Sequence, residues 1–219
     1  MLPFTVAQFF AVFGAYNTAV WPAPIAAYLL AALGLGTAMF RPAWSGRVVP
    51  AVLATLWIWT GVAYHWVHFA PVNPAARLFA AAFVVEGLLL LRAGMGRAPV
   101  LFAVGPDWRR VFGLALVAYA AILYPFLGVW TGHAYPEAPM FGITPCPLTL
   151  FTFGMLLLAL EPVPLRLLPI PALWSLVGGS AAVLLDVPQD WMLLAGGILA
   201  TVVLAGRYMG GRCGTTARR

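Results

Sequence analysis

The sequence predicts an all-α protein of the membrane: a polytopic transmembrane helix bundle of about seven spans, with an additional N-terminal helix at the interface. Three observations lead there. Apolar residues fill 63% of the 219 positions and charged residues only 8%, whereas a soluble domain carries about 25% charged residues because its surface faces water. The apolar residues are gathered into continuous runs near the ~20 residues that a helix needs to cross a bilayer, too long and too little alternating for barrel strands. The net charge of +6 is supplied by arginine without any lysine, and the arginines recur at every second connection between runs.

The runs follow in order. Residues 21–40 contain no charge and end at Arg41, and residues 48–64 follow Arg47. A third run opens at Asn73-Pro74 and covers 73–91 before Arg92, and a fourth covers 111–130 after Arg109-Arg110. The fifth begins after Thr144-Pro145-Cys146-Pro147 and stops at Leu160, before Glu161-Pro162. Residues 169–185 and 191–207 complete the set. Residues 4–20 are apolar but interrupted by Thr5, Gln8, Gly14, Asn17 and Thr18. That pattern fits a helix lying on the outer face, the alternative being an eighth span. No linker, low-complexity tract or repeat divides the chain, so residues 1–219 read as one integral membrane domain.

Orientation follows from counting arginines. Arg41 and Arg47 lie in the first connection, Arg92, Arg97, Arg109 and Arg110 in the third, and Arg166 in the fifth. Arg207, Arg212, Arg218 and Arg219 lie in the tail, and only Arg77 falls on the other side. Basic short loops stay cytoplasmic, which predicts a membrane protein with a cytoplasmic C-terminus. Trp21, Trp66, Trp130 and Trp191 fall at outer ends and Trp44 and Trp108 at inner ends, as an aromatic belt requires. The first residues lack the basic stretch and cleavage site of a signal peptide, so targeting is expected to reside in the first spans. The missing lysine removes Schiff-base chemistry and the phosphate-binding lysine of a Walker loop. Arginines scattered over short loops give no reason to expect nucleic acid; membrane lipid is the expected partner.

The topology places every histidine on the outer side. His65 and His68 end the second run, His133 and Glu137 lie in the loop after the fourth, and Cys146 opens the fifth. Asp186 and Asp190 occupy the last outer loop. On a continuing α-helix His65 and His68 would stand about 60° apart, so with His133 and Cys146 they form a candidate transition-metal or haem set. The alternative is interfacial histidines bonded to headgroups or loop carbonyls. Thr144 and Pro145 read as N-cap and first helical residue, with Cys146 in the first turn or simply at a proline-fixed bend. Cys146 and Cys213 fall on opposite sides of the membrane. Glu86 lies deep in the third run, where a carboxyl costs about 2.5–3.5 kcal/mol and marks a cavity, a proton path or an interhelical bond. Pro125 frees the carbonyl of Ala121, and Asn73-Pro74-Ala75 occurs once, where the aquaporin pattern needs it twice. Glu86, Asn73 and Pro125 are therefore the candidate transport path. No catalytic residue stands out.

The segments FTVAQFFAVFGAYNTAVWP, WTGVAYHWVHFAPVNPAA, GHAYPEAPMFGITPCPLTLFTFGM and IPALWSLVGGSAA resemble an uncharacterised family of bacterial polytopic membrane proteins, a domain of unknown function. The resemblance implies an inner-membrane location and no assigned activity. The leading expectation is a small transporter or channel for a small solute or ion, with an outer vestibule. The rivals are a haem- or metal-binding membrane redox subunit, and a structural or assembly partner, as a homo-oligomer or within a membrane complex.

Overall fold

The computed structural model describes residues 3–185 and 187–216, with side chains except at 181 and 211–216. Asp186, the side chains of Arg212 and Cys213, and Arg218 and Arg219 lie outside that description. The described chain is built of eight helices: α1 Val6–Ala19, α2 Ala23–Phe40, α3 Pro42–Phe69, α4 Ala76–Gly94, α5 Trp108–Trp130, α6 Pro145–Leu157, α7 Pro169–Leu184 and α8 Trp191–Thr216. Their starts follow from local chemistry. Thr5 and Gln8 form a reciprocal capping box at α1, which explains two of its polar interruptions. Proline opens α3, α6 and α7, where its missing N–H has no helical partner to lose. Asp107 caps α5 by accepting from the Arg109 backbone N–H. The same Arg109 side chain holds the Asp107 carboxyl well below the usual carboxylate range.

Five helices, α2, α3, α5, α7 and α8, are long and apolar enough to cross a membrane. The expected count of seven spans is thereby corrected to five, and the two segments that drop out do so for different reasons. Helix α4 carries Arg77, Glu86 and Arg92 in 19 residues. Helix α6 has 13 residues, about 20 Å at 1.5 Å per residue, against ~30 Å of hydrocarbon. Helix α1, with 14 residues, is also too short to be an eighth span. It packs its Phe13 and Tyr16 rings on Tyr64, near the end of α3.

Helix α6 is the axis of the bundle. From Pro145 to Leu157 every residue except Cys146 is buried, and its neighbours are α3, α5, α7 and α8. Trp57 of α3 donates to the Thr152 hydroxyl at 2.8 Å. The approach of α5 depends on two glycines. A β-carbon on Gly113 would stand 2.6 Å from the Gly154 carbonyl oxygen, and one on Gly154 would stand 2.7 Å from that of Gly113. Non-helical chain fills the depth that α6 does not span. At one end Phe141 and Ile143 are buried, and Gly142 turns with φ +74°. At the other, Ala103 N–H donates to Leu158 O and Leu160 N–H to Leu101 O. Irregular backbone survives at such depth only where protein covers it and its polar groups are paired.

Among the described arginines, Arg47, Arg92, Arg109, Arg110 and Arg207 belong to element ends that gather at one end. There Phe102 N–H donates to Ser45 Oγ at 2.8 Å, Gly94 meets Arg47 O and Pro50, and Arg207 donates to the carbonyls of Ala159 and Leu160. These contacts bring the start of α3, the ends of α4 and α6 and the last turns of α8 together. Arg109 and Arg110 are electrostatic neighbours of Arg207. The six belt tryptophans are all exposed. At the opposite end the segment 131–144 is tied to α1. Asn17 donates to Pro136 O and Ala138 O, and the Tyr16 hydroxyl donates to Ile143 O.

Candidate solute-binding cavity

At the end opposite Arg47, Arg92 and Arg207 a cavity of about 160 Å³ opens beside α1, among the ends of α3, α5 and α7 and the starts of α4, α6 and α8. Aromatic side chains form its walls: Phe4, Phe9 and Phe13, together with Tyr64 and Phe69 of α3 and Phe79 of α4. Its floor is polar. Cys146 enters at the first turn of α6, Tyr124 from α5, Trp174 and Gly178 from α7, and Asp190 from the turn before α8. The Tyr124 hydroxyl donates to Asp190 Oδ1 at 2.6 Å. The Cys146 thiol also stands against the Asp190 carboxyl, and Tyr64 lies within electrostatic reach of both. The partial exposure of Cys146 is toward this cavity. Gly178 lets the floor close, since a β-carbon there would lie 3.1 Å from Trp174 Nε1 and 3.4 Å from Cys146 Sγ. The Trp174 indole N–H is buried and turned to the Cys146 thiol.

The sequence-derived candidates distribute themselves differently. His65 is fully buried in a ring of Tyr64, Phe69, Phe79, Phe83 and Trp174, and neither ring nitrogen has a partner. His68 turns the other way, donating Nδ1–H to Ala63 O at 2.7 Å with its ring edge-on to Tyr16. The expectation that both imidazoles face one site fails because α3 winds as a π-helix from Thr60 to Phe69. That wider i→i+5 winding separates positions that an α-helix would hold on neighbouring faces. His133 stacks on Phe10 at 3.7 Å between centroids, and only Cys146 of the four reaches the cavity floor. Among the described residues no three histidine, cysteine or acidic side chains come together in the manner of a metal shell.

Asn73 lines the cavity mouth and also accepts from the Ala75 N–H. Pro125 does free the Ala121 carbonyl, but the Tyr28 hydroxyl takes it at 2.7 Å. Glu86 is wholly buried in α4 with no partner for either oxygen. Thr144 occupies the N-cap with extended backbone but does not cap through its side chain, because its hydroxyl donates back to Met140 O.

A scan against family models places residues 6–214 of the chain within a single model. The chain belongs to DUF6064, a family of unknown function. No curated protein and no solved structure matches it. For this DUF6064 chain the three residues that the sequence did not single out for the site are Asp190, Tyr124 and Trp174. Asp190 reads as a solvated loop acid until it is seen 2% exposed at the start of α8. One signal was available: Trp57 and Trp174 sit inside apolar runs rather than at their ends, and a buried indole N–H calls for a partner. Trp57 has one in Thr152; Trp174 turns to Cys146 at the cavity floor.

Proposed function

We propose that the protein is a small transporter of the bacterial plasma membrane whose outward cavity admits a small organic cation, an amine on a compact apolar body. The observation carrying this reading is a buried carboxylate, Asp190, at the floor of an aromatic-walled cavity of about 160 Å³. Mostly apolar concavities with a few convergent polar groups are the usual form of small-molecule sites. An engineered cavity of ~150 Å³ takes benzene, which sets the size of the solute. The Tyr124 hydroxyl, donating at 2.6 Å, fixes the Asp190 carboxyl at the floor, and aromatic faces attract ammonium groups.

Passage, rather than binding alone, is supported by what lies below the cavity on α4. Phe79 is in the cavity wall, Phe83 packs on His65 at 4.6 Å, and Glu86 follows one turn deeper. His65 and Glu86 are both buried without hydrogen-bond partners, and such groups within a membrane protein mark ion and proton pathways.

The binding test uses purified protein in nanodiscs titrated with benzylamine and with its neutral counterpart benzyl alcohol. Benzylamine is expected to bind at least about tenfold more tightly, equivalent to ~1.4 kcal/mol. Asp190→Asn is expected to erase that preference. Equal affinity for amine and alcohol in the wild-type protein would overturn the cation reading.

Arginine asymmetry further supports a cytoplasmic arginine end. Reporter fusions at Arg97 and after Arg207 are expected to report cytoplasm, and fusions near Glu137 and Gln189 the outside. A cytoplasmic signal from the Glu137 fusion would invert the map and turn the cavity inward.

A further inference from the structure

A second cavity system lies at the arginine end, away from the Asp190 site. Arg92 from the end of α4, Arg97 from the following loop and Arg166 from the turn before α7 border one open groove of about 590 Å³. Its remaining wall is Leu88, Leu91, Met95 and Gly96. Leu88, Leu91 and Met95 are exposed large apolar side chains on one strip of α4. The same three arginines border an adjoining inner cavity of about 190 Å³, whose lining includes Pro50, Leu90, Phe102 and Leu156.

The charges there are uncompensated. Among the described residues the one ion pair is Arg109 with Asp107, and Glu161 accepts from the Leu101 N–H. Among the described residues no carboxylate stands within ion-pair distance of Arg92, Arg97 or Arg166. Three guanidinium groups from two chain segments therefore border one groove, at the level where the apolar strip of α4 ends.

We propose that this groove is a binding site for an anionic phospholipid. The phosphate diester sits on Arg92, Arg97 and Arg166, and an acyl chain lies along Leu88 and Leu91. Guanidinium forks match phosphate oxygens in geometry as well as charge. Basic pockets between helices at the cytoplasmic face are suited to anionic headgroups. A free phosphate would satisfy the arginines equally but would leave the strip of Leu88, Leu91 and Met95 unused, which is why the lipid is the occupant chosen.

The test is native mass spectrometry of the detergent-solubilised protein with phosphatidylglycerol, with phosphatidylcholine, and with phosphatidylglycerol plus millimolar inorganic phosphate. Phosphatidylglycerol is expected to form a retained one-to-one adduct at least tenfold tighter than phosphatidylcholine, and inorganic phosphate is expected not to displace it. Each basic residue at an anionic surface contributes about a factor of five, so Arg92→Gln/Arg97→Gln/Arg166→Gln is expected to weaken the adduct about a hundredfold. Arg41→Gln/Arg77→Gln/Arg110→Gln removes the same charge elsewhere and is expected to keep the adduct. Should the first triple variant fail to fold, Arg166→Gln alone is expected to lose about fivefold. Equal retention of the two lipids, or equal loss in both triple variants, would overturn the site. Displacement by inorganic phosphate would identify a phosphate site and overturn the lipid.

Discussion

Gly154→Leu is expected to prevent the bundle from assembling. The two closest obstacles to a β-carbon at Gly154 are Gly113 O and the Val117 side chain, both at 2.7 Å, with Val117 N at 3.0 Å. Overpacking of side chains alone costs about 1–3 kcal/mol. Here two of the obstructing atoms are backbone, so relief requires α5 to move away from the axial helix α6, opening the most extensive helix contact that α6 makes. Fluorescence-detected gel filtration in mild detergent measures the outcome, with loss of the monodisperse peak expected. Gly36→Leu is the control, because a β-carbon at Gly36 meets nothing within 4 Å. A Gly154→Leu protein that elutes and melts like wild type would show that the α5–α6 crossing is looser than the glycine pair implies.

Glu86→Met is expected to act in the opposite sense. The carboxyl is buried with neither oxygen paired, and leaving a buried polar group unpaired costs about 1–3 kcal/mol. Methionine keeps the unbranched shape and fills irregular space, so the variant is expected to be more stable by about 1–2 kcal/mol, allowing for partial relaxation of the site. Denaturant titration of the purified protein measures this. The transporter reading adds a cost: a stabilised variant that has lost its only acid in the α4 stripe is expected to lose any proton-coupled amine flux in proteoliposomes. Destabilisation by the substitution would mean that Glu86 is held by a partner, and would remove it from the path.

Much of the fold was legible because it rests on local signals. The run 21–40 became α2, and 111–130 became the last twenty residues of α5, since an apolar stretch between arginines and prolines leaves the chain one low-energy state in lipid. The gathering of Arg41, Arg92, Arg109 and Arg207 at one end followed from alternation alone. What misled was length taken without depth. Residues 148–160 resemble a short span in sequence, whereas α6 is enclosed by protein and completed by non-helical chain at both ends. The site was less legible because it depends on neighbours distant in sequence. Cys146 and Asp190 are 44 positions apart, and nothing in either segment states that α6 and α8 start side by side. The π winding of α3 was equally invisible, and it is what sends His65 toward Trp174 and His68 toward Tyr16.

The enclosure of α6 has a consequence for how the protein is made. A 13-residue apolar segment is too short to partition into a bilayer as an independent span, and once inside it touches no lipid-facing surface of its own. The usual scheme, in which helices insert one by one and afterwards dock sideways, has no stage at which α6 can wait alone. It must be drawn in by α5 before it and by α7 and α8 after it. Insertion from Trp108 onward is therefore expected to be cooperative, and a chain truncated after Leu157 is expected to leave α6 at the membrane surface.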